Sequence, residues 1–343
     1  YIENGSVTSA KGFTANGICA GVKASNTTKK DLALIYCDKV CNSAAIFTKN
    51  LVKSDTIYVT KKHLENGTAQ AVVVNSGNAN ACNPDGYEKA EKMCSLAADA
   101  LGVDENDVIV ASTGVIGQPL PIEPIASGIE KLKGTLSKDG GISAAEAIMT
   151  TDTVKKQWAV ETVLDGKKVT IGGIAKGSGM IHINMGTTLS FVTTDAAISS
   201  EMLKSALIEA ADVSYNMVSV DGDTSTNDTL AIMASGYAGN KEITEKNDDY
   251  KIFTAVLTDA FKKVAKKLAK DGEGATKLLI CKVDGAKDDK SAKIISKSII
   301  CSSLVKAAMF GADANCGRIL CAIGYSGAET DVKKIDVSYK SAK

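Results

Sequence analysis

KGSGMIHINMGTTLSFVTTD, residues 176–195, packs a lysine, two close glycines, a Gly-Thr step and a β-like run into twenty positions. Gly177 and Gly179 open backbone conformations that other residues resist, so the chain can turn tightly here and admit a ligand or a second backbone. Leu189, Phe191 and Val192 then resume a strand of largely buried character. The segment therefore reads as a strand entered through a glycine-rich turn, with Thr187 and Thr188 at its mouth.

Those threonines have two readings. In one they are β-branched residues opening a strand and the glycines are turn punctuation. In the other, Thr187 is a nucleophile, and its neutral hydroxyl needs a base. The chain has only His63 and His182. His182 lies five residues upstream of Thr187, about 16 Å of extended chain at ~3.3 Å per residue, so a histidine relay is poorly supported. The remaining activator is the α-amine of Thr187 itself, released when the Gly186–Thr187 bond is cut. Attack of the hydroxyl on the Gly186 carbonyl meets no side chain, and a freed amine with an ordinary pKa near ~8 suits general-base work at neutral pH.

The run from Lys176 to Ala196 closely resembles the signature of the self-cleaving glutamate N-acetyltransferase (ornithine acetyltransferase) family of arginine biosynthesis, with Gly186 where many members carry alanine. GADANCGRILCAIGYSGA, residues 311–328, is similar to that family's GDPNWGRIL region, and the likeness extends back to GFTANGICAG near the start. The resemblance implies an α/β protein: a large αββα-like layered domain of the N-terminal-nucleophile type over 1–245, then a smaller α/β domain over 246–343. It implies cleavage into an α chain, 1–186, and a β chain from Thr187, the two assembling as an α2β2 heterotetramer in the cytoplasm.

It implies ping-pong transfer of acetyl from N-acetylornithine to glutamate, releasing ornithine and N-acetylglutamate, with Thr187 as nucleophile and Thr113 and Gly114 as the oxyanion hole. Thr150 or Thr151, Lys176 and Glu273 take substrate-binding roles. Charge suggests that Lys176 holds the carboxylate and Glu273 the amine. No metal or prosthetic group is called for, and acetyl-CoA stays open as a co-substrate. Members of the family normally continue beyond the position of Lys343, and that tail supplies substrate contacts. Two other functions remain in view: a self-cleaving aminopeptidase-like amidase, and an uncleaved amino-acid-binding protein.

Composition sets the frame for these readings. The 343 residues suffice for two domains and a sizeable core, and 40 basic against 40 acidic residues give no electrostatic reason for a nucleic-acid partner. No apolar run approaches the ~18 residues of a membrane span, and the first residues lack the layout of a secretory signal. The start lacks an initiator methionine, which points to processing. Nine scattered cysteines without a Cys-x-x-Cys pair read as free thiols in a reducing compartment, and two histidines without clustered ligands disfavour zinc.

Along the chain, Ala44–Thr48, Ala71–Val74, Val108–Ala111 and Lys167–Ala175 read as strands, and Tyr87–Leu101, closed by Gly102, as a helix. NSGNANAC, from Asn75, is a loop of turn formers. Ser200–Ala211 and the face Phe253, Leu257, Phe261, Val264 and Leu268 read as amphipathic helices. TTDTVKK, from Thr150, is a helix cap or a ligand contact. DGDTSTNDT, from Asp221, mimics a calcium loop but has Thr226 in place of the turn glycine and Ile232 in place of the bidentate glutamate. It reads as a structural or site-rim loop. Gly172 and Gly177 mimic a phosphate loop, but Ser178 stands where its lysine belongs. The charged run 240–251 marks a domain boundary. Beyond it Lys277–Val283 and Arg318–Ile323 are predicted strands, with a helix Ser303–Phe310 between them.

Overall fold

The computed structural model describes residues 1–182 and 188–341. Its organising element is one long strand. β1 (Phe13–Ile18) leads into β2 (Leu32–Phe47), whose alternating residues face opposite sides of a sheet. The chain continues through α1 (Asp55–His63), β3 (Thr68–Asn75), α2 (Gly86–Leu101), β4 (Val108–Ser112), α3 (Ile122–Lys133) and α4 (Gly141–Ala147). Then come β5 (Lys156–Leu164), β6 (Lys167–Lys176), β7 (Ile181–His182), β8 (Leu189–Thr194), α5 (Ser200–Asp212), β9 (Ser219–Thr224) and β10 (Thr229–Ala234). α6 (Asp248–Lys270), α7 (Asp289–Cys301), α8 (Ser303–Phe310) and α9 (Cys316–Gly324) follow.

Hydrogen bonding runs β4-β3-β2-β10-β8-β6-β5, with β1 also on β2, and β7 pairs with β9 as a separate ribbon. The first half of β2 pairs with β1 on one edge and β3 on the other, and after a register shift between Tyr36 and Cys41 its second half pairs with β10. β2 thus belongs to two half-sheets. Val72, Val74 and Ile109 from one and Ile174, Phe191 and Met233 from the other share a single interior cluster, so the halves face each other. Outside the first half, α2 and α3 bury Met93, Cys94, Ile125 and Ile129 against Leu34, Val73 and Val110. Outside the second, α5 and α6 bury Leu203, Leu207, Phe253 and Phe261 against Ile171, Val192 and Ile232. The layers run helix, sheet, sheet, helix, as expected from the sequence.

β8 is buried along its whole length, which is why its sequence lacks the polar alternation of a half-exposed strand. Its two threonines meet that burial with hydrogen bonds, Thr193 Oγ1 to the Val7 carbonyl at 2.6 Å and Thr194 Oγ1 to the Thr170 carbonyl at 2.8 Å. The helix predicted to stop at Gly102 does so, with that glycine left-handed at φ 70°.

The C-terminal third departs from expectation. Residues 277–283 form no strand, and Arg318–Ile323 lie inside helix α9. Short apolar runs carry no periodicity able to separate a strand from a buried helix turn, and Asn315 caps α9 by accepting the Arg318 N–H at 3.1 Å. α6 begins within the charged run taken as a boundary, its start fixed by Asn247 accepting the Tyr250 N–H at 2.9 Å. Its apolar face joins the core of α5 and β5. A separate small cluster, including Ile295, Ile299, Val305 and Ile323, holds the last helices together.

Candidate functional site

The site forms where β4 and β6 end and β5, β8 and β10 begin. Lys176 is the last residue of β6, paired with Leu189 at the start of β8, and is buried to 8% exposure. Its Nζ donates to Thr113 Oγ1 at 3.3 Å across the gap between the half-sheets. Burial draws the Lys176 ammonium below its ordinary pKa, and the carboxylates of Asp152 and Asp228 act against that shift. A small polar cavity at this point is lined by Thr113, Lys176, Gly179, Thr188, Asn227 and Asp228, among others.

Thr113 leaves β4 through a corner pinned by asparagines. Asn75 Oδ1 accepts the N–H groups of Gly77 and Asn78 at 3.2 and 3.0 Å, and Asn78 Nδ2 donates to the carbonyls of Gln118 and Pro119 at 3.0 and 3.2 Å. From the other half-sheet, Asn227 Nδ2 donates to the carbonyls of Ala79 and Ser112, both at 2.6 Å, clamping the corner to the start of β10. Gly114 sits at φ 131°, and a Cβ there would lie 2.8 Å from Asn78 N, so only glycine fits. The turn formers read from the sequence as a loop are thus the frame of the corner that presents Thr113 and Gly114.

Below Lys176 lies a fully buried ion cluster. Lys156 Nζ, at 0% exposure, donates to Asp152 Oδ1 at 2.7 Å and Asp271 Oδ2 at 2.6 Å. Burial works against the charged form of Asp152, but the fields of Lys176 and Lys156 and the hydrogen bonds from Lys156 and Gly177 outweigh it, leaving the carboxyl below its ordinary range. Asp271 follows the same pattern, with Lys156 and Thr153 supplying the opposing bonds. Asp228 differs. Burial pushes its carboxyl up to about 7, only partly offset by the Ser225 hydrogen bond and Lys176.

Of the residues expected in the site, Thr113, Gly114 and Lys176 converge at this corner. Glu273 follows the C-terminus of α6 and is exposed, its carboxylate packed over Gly179, where a Cβ would stand 2.3 Å from Oε1. Thr150 and Thr151 do not line the cavity. Thr151 is exposed, and Thr150 is tied in through its N–H to Asp152 Oδ2 at 3.1 Å. Gly186 and Thr187 lie outside the described residues, and the described chain resumes at Thr188, which lines the cavity. The close approach expected of Gly177 is present, since a Cβ there would meet Thr188 Cγ2 at 2.4 Å. Gly172 is a packing glycine, its missing Cβ 2.0 Å from the Ser6 carbonyl oxygen. Asp221 accepts the Ile181 N–H at 3.0 Å, while Ser225, Asn227 and Asp228 of the same loop line the cavity, so the false calcium loop is both a structural tie and part of the site rim.

Sequence reading missed Asp152, Lys156, Asn227, Asp228 and Asp271. For Asp152, Asn227 and Asp228 the available signal was two acid-bearing polar runs, TTDT just ahead of β5 and NDT at the start of β10; polar residues that enter a buried strand are lodged at its mouth. Among the described residues no group of histidine, cysteine and carboxylate side chains could hold a metal ion.

The ArgJ family model matches residues 14–343. The arginine biosynthesis bifunctional protein ArgJ 1 of Clostridium acetobutylicum is 50% identical over 341 residues, covering 99% of this chain and 83% of the relative. Its counterpart from Caldanaerobacter subterraneus is 50% identical over 343 residues, 100% of this chain and 84% of the relative. The crystal structure of the arginine biosynthesis bifunctional protein argJ from Bacillus halodurans shares 44% identity at a TM-score of 0.50, covering 54% of this chain and 96% of its own. With a match this long and identities this high, the chain belongs to the ArgJ family.

Proposed function

We propose that this ArgJ-family acyltransferase of arginine biosynthesis is a glutamate N-acetyltransferase that works through Thr187 as an N-terminal nucleophile. One observation carries the reading: a buried lysine hydrogen-bonded to Thr113 lines a cavity with Thr188, the residue immediately after the expected nucleophile. That is the arrangement a carboxylate-bearing acetyl donor requires.

In maturation, the Thr187 hydroxyl attacks the Gly186 carbonyl, the peptide C–N bond gives way to an ester, and water hydrolyses that ester to leave a new α-amine. In turnover, that amine accepts the hydroxyl proton as Oγ attacks the acetyl carbonyl of N-acetylornithine. The amide C–N bond breaks, and ornithine departs with the proton. The neutral amine of glutamate then attacks the acetyl ester and gives a proton to the Thr187 α-amine, the C–O bond breaks, that proton passes to Oγ to restore the hydroxyl, and N-acetylglutamate leaves. Thr113 Oγ1 and the Gly114 N–H stabilise the oxyanion in both halves, Lys176 holds the α-carboxylate, and Glu273 meets the amine of the amino-acid substrate. Thr150 and Thr151 border the substrate from the loop ahead of β5.

The proposal needs no metal or prosthetic group, and it extends to acetyl-CoA as a second donor where the protein makes N-acetylglutamate directly. It includes α and β chains held in one core, an α2β2 assembly, and a cytoplasmic setting. No helix among the described residues is long and apolar enough to cross a membrane.

Denaturing electrophoresis and mass spectrometry of purified protein should show two pieces split between Gly186 and Thr187, and acetyl should pass from N-acetylornithine to glutamate. Thr187→Ala should abolish both. Normal splitting in Thr187→Ala would refute the nucleophile, and acetate release without transfer would make the protein an amidase.

A further inference from the structure

We infer that Asp152, Lys156 and Asp271 are positioning residues for the acetyl-transfer site, a buried charged hub that sets the mutual placement of the three segments expected to touch substrate. The inference rests on the function proposed above. Lys156 has no exposure, and its Nζ spends its donors on Asp152 Oδ1 at 2.7 Å, Asp271 Oδ2 at 2.6 Å and the Val154 carbonyl at 3.2 Å.

From this centre, hydrogen bonds run to each segment. Asp152 Oδ2 accepts the Thr150 N–H at 3.1 Å, which fixes the loop ahead of β5. Asp152 Oδ1 also accepts the Gly177 N–H at 2.6 Å, one residue from Lys176. The Asp271 carboxylate accepts the Thr153 N–H at 3.1 Å and a bond from Thr153 Oγ1. Its carbonyl accepts Ser178 Oγ at 2.6 Å, and the Ser178 carbonyl in turn accepts the Glu273 N–H at 3.1 Å. Thr150 is therefore bonded to the hub directly, Lys176 is one residue from a bonded position, and Glu273 is reached through Ser178 by two hydrogen bonds.

Stability alone does not account for such a cluster. A buried ion triad is often replaceable by apolar residues of similar volume with little loss, because desolvation consumes most of the Coulombic gain. Asp271 moreover caps the C-terminus of α6, where the helix dipole disfavours a carboxylate. The arrangement stands at a site that opposes it, and what it supplies is direction. The Asp152 carboxylate holds the Gly177 N–H and the Asp271 carbonyl holds the Ser178 hydroxyl, with Lys156 tying the two aspartates together, and the neighbouring Lys176 carries the substrate-facing charge. Errors near 1 Å in such a frame cost on the order of 100-fold in rate.

The test uses the full purified protein in three forms: wild type, the charge-neutral triple variant Asp152→Asn/Lys156→Met/Asp271→Asn, and Lys156→Arg. Thermal unfolding, extent of self-cleavage, and kcat and KM for N-acetylornithine and glutamate are measured for each. The triple variant should unfold cooperatively near the wild-type temperature, while KM for both amino acids rises on the order of 10-fold with a smaller change in kcat. Lys156→Arg, which keeps the charge but moves its donors, should lie between the two. Wild-type kcat and KM in either folded variant would overturn the inference. A wild type that folds and splits but transfers no acetyl group would overturn the function instead.

Discussion

Two buried lysines, 20 residues apart in the chain, occupy opposite electrostatic situations. Lys156 touches two carboxylates and a carbonyl, so its charge is neutralised on the spot. The hydrogen bond described for Lys176 Nζ is to a neutral hydroxyl at 3.3 Å, and Asp152 and Asp228 act on it as fields rather than as hydrogen-bonding partners. A cation taken out of water without a contacting anion is costly to the fold. Its natural complement is an anion that arrives from outside. The comparison assigns Lys156 to the frame and Lys176 to the ligand, although both are buried and both stand beside Asp152.

Removing each charge should break that symmetry of appearance. Lys156→Met leaves Asp152 and Asp271 buried without their cation, and the cost should be about 3–5 kcal/mol, read by urea unfolding. Lys176→Met removes a desolvated charge with no contacting carboxylate among the described residues, so stability should hold or rise, by up to about 4 kcal/mol. Its kcat/KM should nevertheless fall by about 100-fold or more, as expected when a buried charged partner of the substrate is lost. Equal destabilisation by the two variants would erase the distinction.

The sequence made one side of this comparison visible and hid the other. Lys176 stands out because it precedes Gly177, Ser178 and Gly179 at a strand end, and a charged residue beside backbone-permissive positions signals a ligand corner. Lys156 looks like half of an ordinary Lys-Lys pair, since the exposed Lys155 stands next to it. What buries one and exposes the other is strand alternation at the start of β5 together with Asp271, 115 residues away, and no local pattern encodes that partner.

The same limit explains the rest. The layered architecture followed from the family resemblance and the helices α2, α5 and α6 from periodicity and caps, while α9 was misread because six apolar-rich residues fit either period. Asp228 sat in plain view in NDT, but its burial comes from the facing half-sheet.

Asp228 also separates the two lysine environments by pH. Its folded pKa of about 7 exceeds the ordinary carboxylate value of ~3.9, so the unfolded chain releases this proton first. Its contribution is therefore greatest below that ordinary value and is lost as pH rises through 7, by at most ~1.4 kcal/mol per pH unit. Asp152 and Asp271, held low, contribute above the ordinary value and lose their effect as pH falls below it. Asp228→Asn, which mimics the neutral form, should exceed wild-type stability by a margin that grows from about pH 4 to pH 7 and then levels off. A wild-type pH slope retained in Asp228→Asn would show that another group titrates there.

The smallest effect concerns the amine end of the substrate. Gly179 is outside the left-handed region, so alanine is conformationally acceptable there, but its Cβ would overlap the Glu273 carboxylate, 2.3 Å from Oε1 and 2.5 Å from Cδ. Because Glu273 is exposed and flexible, the carboxylate swings aside rather than straining the fold, and Gly179→Ala should stay within ~0.5 kcal/mol of wild type. If that carboxylate meets the substrate amine, KM for N-acetylornithine should rise about threefold at unchanged kcat, the pattern of lost uniform binding. Glu273→Gln should raise it further. An unchanged KM in Gly179→Ala alongside a raised one in Glu273→Gln would place the working carboxylate position away from Gly179. Unchanged values in both would leave Lys176 as the charge that orients the amino acid.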